Sequence, residues 1–188
     1  DMKERYKTIS NALDTTNTKT TDFFSDFKFI EKGIFVNGQA FPVVKMEWIN
    51  GLTLGEFIYK NHNDTNSLSN LRNKVKALQA YLHEKQIAHG DLQPGNLIVS
   101  KDGLDIKLID YDGMFVPKLK GKTASELGHS NFQHPGRTKE VFNSHLDWFS
   151  FIQLDFCLAC LIENPNLWDL TFSDEEGILF RAVDLRNP

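Results

Sequence analysis

The chain has 188 residues, 40% hydrophobic and 24% charged, with a formal net charge of −4, the composition of a globular protein built around one core. Such mild acidity offers no general attraction to nucleic acid or to anionic membrane surfaces, so a charged ligand must be held by a local group of residues. No apolar run is long and uncharged enough to span a bilayer, and the residues after Met2 are charged and polar rather than the apolar segment of a secretion signal; neither a nucleic-acid nor a membrane partner is expected, and a cytoplasmic location is.

Asp1 is not a natural start, so a trimmed piece of a longer protein is expected. From Met2 to Leu13, Tyr6, Ile9 and Leu13 have helical spacing, and the polar stretch Asp14-Thr15-Thr16-Asn17-Thr18 favours turns over helix. The next segment is rich in aromatic and β-branched residues and is interrupted by Asn37-Gly38, the strongest short signal for a two-residue hairpin turn. Two antiparallel strands are expected, Phe29–Val36 and Gln39–Trp48.

Between Ser67 and Lys85, Leu68, Leu71, Val75, Leu78 and Leu82 recur at steps of three and four, the stripe of an amphipathic helix. Two short strands, Leu97–Val99 and Ile106–Ile109, follow across the turn residues Lys101-Asp102-Gly103. The residues from Met114 to Arg137 have little periodicity and read as a long, mobile surface loop. Ser144-His145-Leu146-Asp147 has the form of a capping box opening a helix that is apolar on most faces and belongs mid-core. Cys157 and Cys160 lie on it without a second metal-ligand pair, and are expected to be core thiols. Trp148 and Trp168 are expected to pack in the core or a ledge, and Lys118, Lys120 and Lys122 to be solvated.

The chemistry concentrates where the two short strands meet. If they form a hairpin, Asn96 at the start of the first lies beside Asp110 at the end of the second. Asp91 precedes them in a tight loop restricted by Pro94 and Gly95. A carboxamide meeting carboxylates suits a hard cation such as Mg²⁺, which keeps several waters and takes few protein ligands. Phosphoryl transfer needs this set: a carboxylate to orient the attacking hydroxyl and take its proton, and oxygen ligands for the metal.

The segment Leu82-His83-Glu84-Lys85-Gln86-Ile87-Ala88-His89-Gly90-Asp91-Leu92-Gln93-Pro94-Gly95-Asn96 resembles the helix and catalytic loop of protein kinases, whose pattern is H-R-D-L-x-x-x-N. Asp110-Tyr111-Asp112-Gly113 resembles their D-F-G motif, Met46-Glu47-Trp48-Ile49 their gatekeeper and hinge, and Phe132-Gln133-His134-Pro135 the end of their activation segment. Asp147-Trp148-Phe149-Ser150 resembles the start of their central helix, and the matches run in family order.

This resemblance implies an α+β protein kinase-like fold: a partial N-lobe over residues 1–46 with one helix and a β-hairpin, a hinge at 47–51, and a mostly helical C-lobe over 52–188 that continues past the end of the chain. It implies an ATP- and Mg²⁺-dependent kinase of protein or peptide Ser/Thr hydroxyls. Asp91 would be the base, with Asn96 and Asp110 as catalytic metal ligands and Asp112 as a weaker metal candidate. Met46, Glu47, Ile49, Gln93 and Ile98 would line the nucleotide, with backbone groups of Glu47 and Ile49 facing adenine and Ile98 beneath it. Asp147 would accept N–H bonds from the catalytic loop.

Departures from the pattern matter too. Gly90 replaces an arginine that contacts a phosphorylated activation loop, so phosphorylation-gated activity is not expected. Gln93 replaces a lysine near the transferred phosphate, and Asp112 the glycine of D-F-G. His89-Gly90-Asp91 with Asp110-Tyr111-Asp112 also resembles aminoglycoside and choline kinases, so a small-molecule kinase is the first alternative and a non-catalytic pseudokinase the second. The Gly-rich loop and strand lysine of kinases would precede Met2, and without them the chain should bind ATP poorly.

Overall fold

The computed structural model describes residues 2–16 and 23–186. Helix α1 (Met2–Thr16) buries Ile9 and Leu13. It extends past Leu13 because helix propagation adds a backbone bond for each residue fixed, enough to carry weak helix formers; Asn17 and Thr18 of the expected loop lie outside the described residues. Strands β1 (Phe27–Val36) and β2 (Gln39–Met46) pair antiparallel. Asn37 and Gly38 supply the two positive φ angles, 50° and 80°, that such a two-residue turn requires. Lys3 and Lys7 of α1 both bind Glu31 of β1. The second strand stops at Met46, short of the expected Trp48, whose side chain is 90% exposed.

Below the hairpin, β3 (Leu52–Thr53), β4 (Leu97–Val99) and β5 (Ile106–Leu108) form an antiparallel sheet in the order β3-β4-β5. Helix α2 (Leu54–Asn61) follows β3 directly, opened by a capping box in which Thr53 Oγ1 accepts the Glu56 N–H and Glu56 Oε2 accepts the Thr53 N–H. The sequence reading had no helix there, although Thr53-Leu54-Gly55-Glu56 carries the capping signature. Helix α3 (Thr65–Lys85) is capped by Asp64 and buries the expected stripe Leu68, Leu71, Val75, Leu78 and Leu82. It packs on α4 (Trp148–Glu163), where Arg72 holds Asp155 through Nε at 2.6 Å and Nη2 at 2.9 Å. Short helices α5 (Leu167–Leu170) and α6 (Ala182–Arg186) follow, with Trp168 buried.

Four expectations are corrected. Ser144 and Asp147 do not form a capping box: Ser144 Oγ donates to Gln86, and the Asp147 carboxylate caps nothing because it accepts the Gly90 N–H of the loop that follows α3. Helix α4 is not buried all round, since Trp148, Ile152 and Phe156, spaced by one turn, expose an apolar stripe; the expectation that Trp148 is packed away falls with it. The segment 114–137 is not a free surface loop. Met114, Phe115, Val116, Leu119, Ala124, Phe132 and Gln133 are buried, and Ala88 and Phe115 exchange backbone hydrogen bonds at 3.0 and 2.8 Å. Its apolar residues show no long periodicity because its only regular pieces among the described residues are two single-turn 3-10 helices, Pro117–Leu119 and Ser130–Phe132, which bury Leu119 and Phe132. Among the described residues, no helix is long and apolar enough to cross a membrane.

Candidate active site

Helix α3 ends at Gln86, whose left-handed φ of 56° turns the chain into the buried run Ile87-Ala88-His89-Gly90. Asp147 at the head of α4 fixes that run, accepting the His89 N–H at 2.5 Å and the Gly90 N–H at 2.8 Å. This is the contact the resemblance implied for Asp147. Its carboxyl is pushed up by burial, against the pull of His89 and of these two N–H donors. His89 Nε2 reaches the Ile109 carbonyl at 2.9 Å, joining the loop to the end of β5.

Asp91 follows at half exposure. Its Oδ2 accepts the amide groups of Asn96 and Gln93, both at 3.0 Å, and its carbonyl accepts the Asn96 amide at 2.9 Å. The Asn96 amide nitrogen is thus spent on Asp91, and its carbonyl Oδ1 is the atom left for a cation. Gln93, expected at the nucleotide, donates its amide to the Asp91 carboxylate.

The β4–β5 hairpin pairs Leu97 with Leu108, and the Ile109 N–H donates to the Asn96 carbonyl at 3.1 Å. Asp110 is therefore the residue next to the one opposite Asn96. It turns outward with φ 63° and an exposed side chain. Among the described residues no hydrogen bond joins the Asn96 and Asp110 side chains.

Tyr111 turns the other way and is buried between Phe24 and Phe27, both edge-on at 5.8 and 5.0 Å between ring centres. Asp112 faces α1: Tyr6 donates its hydroxyl to Asp112 Oδ1, Arg5 donates to the carbonyls of Asp112 and Met114, and Ser125 Oγ donates to the Asp112 carbonyl. Burial, and then the bond to Asp112, push the Tyr6 hydroxyl well up. Asp112 is thereby partly committed to α1 rather than free for a metal, and among the described residues no three His, Cys, Asp or Glu side chains form a ready-made metal cage.

The residues expected to form a hinge lie in the chain between β2 and β3. Met46 packs against the core, and the Glu47 N–H is taken by the Asp26 carbonyl at 2.8 Å. Among the described residues the Glu47 carbonyl and Ile49 N–H make no backbone bond. Ile98, half-buried, pairs with Thr53 and Lys107 in the sheet below.

Four residues near this centre make contacts that the sequence does not announce. His129 donates its N–H to Asp91 Oδ1 at 2.6 Å, and Gly128 must be glycine there, since a Cβ would lie 2.7 Å from that oxygen and φ is 76°. Arg137 Nη1 donates to the Gly90 carbonyl at 2.5 Å. Glu126 is pushed up by burial and by the charges of Asp91, Asp110 and Asp112. Main-chain donors leave no sequence signal, and the only available hint was the run of Gly, His and Gln from 128 to 134.

Comparison with known proteins gives a consistent picture. The ABC1 atypical kinase-like domain family matches residues 39–129. A Ser/Thr-protein kinase/endoribonuclease, IRE1a of Arabidopsis thaliana, is 32% identical over 56% of this chain and 12% of its own length. The lipopolysaccharide core heptose(II) kinase WaaY of Escherichia coli is 30% identical over 57% of this chain and 43% of its own. The chain thus spans less than half the length of either relative. Among solved structures, the Cydia pomonella granulovirus kinase PK-1 superposes with a TM-score of 0.56 at 13% identity, over 80% of this chain and 54% of that one.

Proposed function

Because this chain has a protein kinase-like fold and belongs to the protein kinase-like superfamily, we propose that it serves as an ATP- and Mg²⁺-dependent phosphotransferase for protein Ser/Thr hydroxyls, with Asp91 as the base. The observation that carries this is the Asn96 carboxamide, bonded at once to the carboxylate and the carbonyl of Asp91, so that base and metal ligand form one rigid unit.

In this reading the Glu47 carbonyl and Ile49 N–H bind the adenine edge, Met46 closes the rear of the pocket and Ile98 lies beneath the base. Asn96 Oδ1 and the Asp110 carboxylate fit a hard cation that retains waters. Bound Mg²⁺ would neutralise charge on the phosphates. Asp91 would align the acceptor hydroxyl and take its proton as the oxygen attacks the γ-phosphorus of ATP and the bond to the bridging oxygen breaks, releasing ADP. Gln93, tied to Asp91, orients the carboxylate and brings no charge to the phosphate. Asp112 serves α1 more than the metal. A peptide acceptor would reach Asp91 past the docked 128–137 segment, in a cytoplasmic protein whose two cysteines are free thiols.

Transfer of labelled phosphate from ATP by the full-length protein tests this: Asp91→Asn should abolish it, and undiminished transfer would refute the assignment. The heptose kinase relative, together with the Asp110-Tyr111-Asp112 pattern, favours a second reading, transfer to a sugar or other small-molecule hydroxyl. Labelling of small alcohols and sugars but of no protein would select it. Absence of Mg²⁺-dependent turnover on both acceptor classes would select a binding module.

A further inference from the structure

Gly90 stands where protein kinases often carry an arginine, and the backbone forbids any side chain there. Its φ is 84°, and a Cβ would sit 2.1 Å from the Gly113 carbonyl oxygen. A cation reaches the same residue from another segment. Arg137, at the far end of the docked segment, donates Nη1 to the Gly90 carbonyl at 2.5 Å and to Gln133 Oε1, while Gln133 Nε2 reaches the same carbonyl at 3.4 Å.

The guanidinium atoms Nε and Nη2 are buried and make no hydrogen bond among the described residues. Burial pulls the Arg137 guanidinium below its ordinary value, and the negative charges of Asp147, Asp91 and Glu126 oppose that shift. A buried cation with unpaired donors is tolerated only where anions hold it. Eight residues back in the same segment, His129 donates to Asp91 Oδ1.

We propose that Arg137 is a positioning residue that latches the 128–137 segment to the Gly90 carbonyl, so that the His129 N–H fixes the Asp91 carboxylate with no phosphate on the segment. A carboxylate offers about four lone-pair sites. The donors of His129, Gln93 and Asn96 fill three of them, and the last is left for the hydroxyl to be activated. The inference rests on the phosphotransferase reading of Asp91.

The test uses the full-length protein, with steady-state transfer read beside amide hydrogen exchange at His129 measured without ATP. Wild type should protect the His129 amide and keep its kcat after phosphatase treatment. Arg137→Met should expose that amide and lower kcat by about 100-fold, the scale of a misplaced catalytic group, with the KM for ATP unchanged. Arg137→Lys, which keeps a cation able to donate to Gly90, should restore most of both. Gly128→Ala gives the same kcat reading should Arg137→Met not fold.

The latch is overturned if Arg137→Met keeps wild-type exchange and kcat, if Arg137→Lys is as damaged as Arg137→Met, or if phosphatase abolishes turnover. A wild type without turnover, whose His129 amide is protected and is released by Arg137→Met, would overturn the phosphotransferase reading and uphold the latch. Turnover with an unprotected His129 amide would overturn the latch alone.

Discussion

The Tyr111 hydroxyl accepts the Ser25 N–H at 2.7 Å and lies 2.7 Å from the Leu108 carbonyl, to which it donates. One side chain thus ties the strand leading to Asp110 to the chain that enters β1. Ser25 Oγ, 2.9 Å away, completes a buried polar cluster inside an aromatic shell. Tyr111→Phe keeps the shell and leaves the Ser25 N–H without its acceptor. A loss of about 1–3 kcal/mol is expected, read from the urea midpoint; an unchanged midpoint would show that the hydroxyl contributes nothing.

Asp147 satisfies two buried N–H groups with one carboxylate. Asp147→Ala leaves both orphaned and should cost about 2–5 kcal/mol. Asp147→Asn retains a single accepting oxygen and should fall between Ala and wild type. Equal stabilities for Ala and Asn in denaturant titrations would contradict this geometry.

Gly90 and Gly121 share a φ of 84°, yet a Cβ at Gly121 meets nothing within 4 Å. Alanine at either position incurs the left-handed penalty of about 1 kcal/mol. Only Gly90→Ala must also push the Gly113 carbonyl aside. Thermal denaturation should show Gly90→Ala clearly the less stable of the two, and parity between them would mean that the close approach relaxes freely.

The Arg72–Asp155 pair bridges α3 and α4, and hydrogen bonding from Arg72, above all, holds the Asp155 carboxyl below its usual range. A depressed folded pKa adds stability that is fully present above the ordinary aspartate value of about 3.9 and is lost as pH falls through the lower folded value. For this half-exposed pair the contribution is about 1 kcal/mol or less. The stability difference between wild type and Asp155→Asn should therefore be flat near neutrality and shrink in acid. A difference that grows in acid would reverse the assignment.

Local rules were legible wherever neighbouring residues decide the outcome. Asn37-Gly38 encodes the hairpin, the Leu68 to Leu82 spacing encodes α3, and the Thr53 to Glu56 capping box encodes the start of α2. Ser144 to Asp147 had the same form and meant something else, because a partner 57 residues away in sequence, the Gly90 N–H, claimed the carboxylate. The stripe Trp148, Ile152 and Phe156 reads like core by composition, and only packing leaves it exposed.

The sequence by itself determined which residues can do chemistry, since Asp91, Asn96 and Asp110 are set within short stretches by a loop and a hairpin whose turns are locally encoded. Tertiary structure alone decided what surrounds them. The His129 N–H on Asp91, Arg137 on the Gly90 carbonyl and Tyr6 on Asp112 are contacts between segments far apart in the chain. The first uses a backbone donor that every residue but proline carries, so residue type cannot announce it, and only the folded path of the chain brings it to the carboxylate.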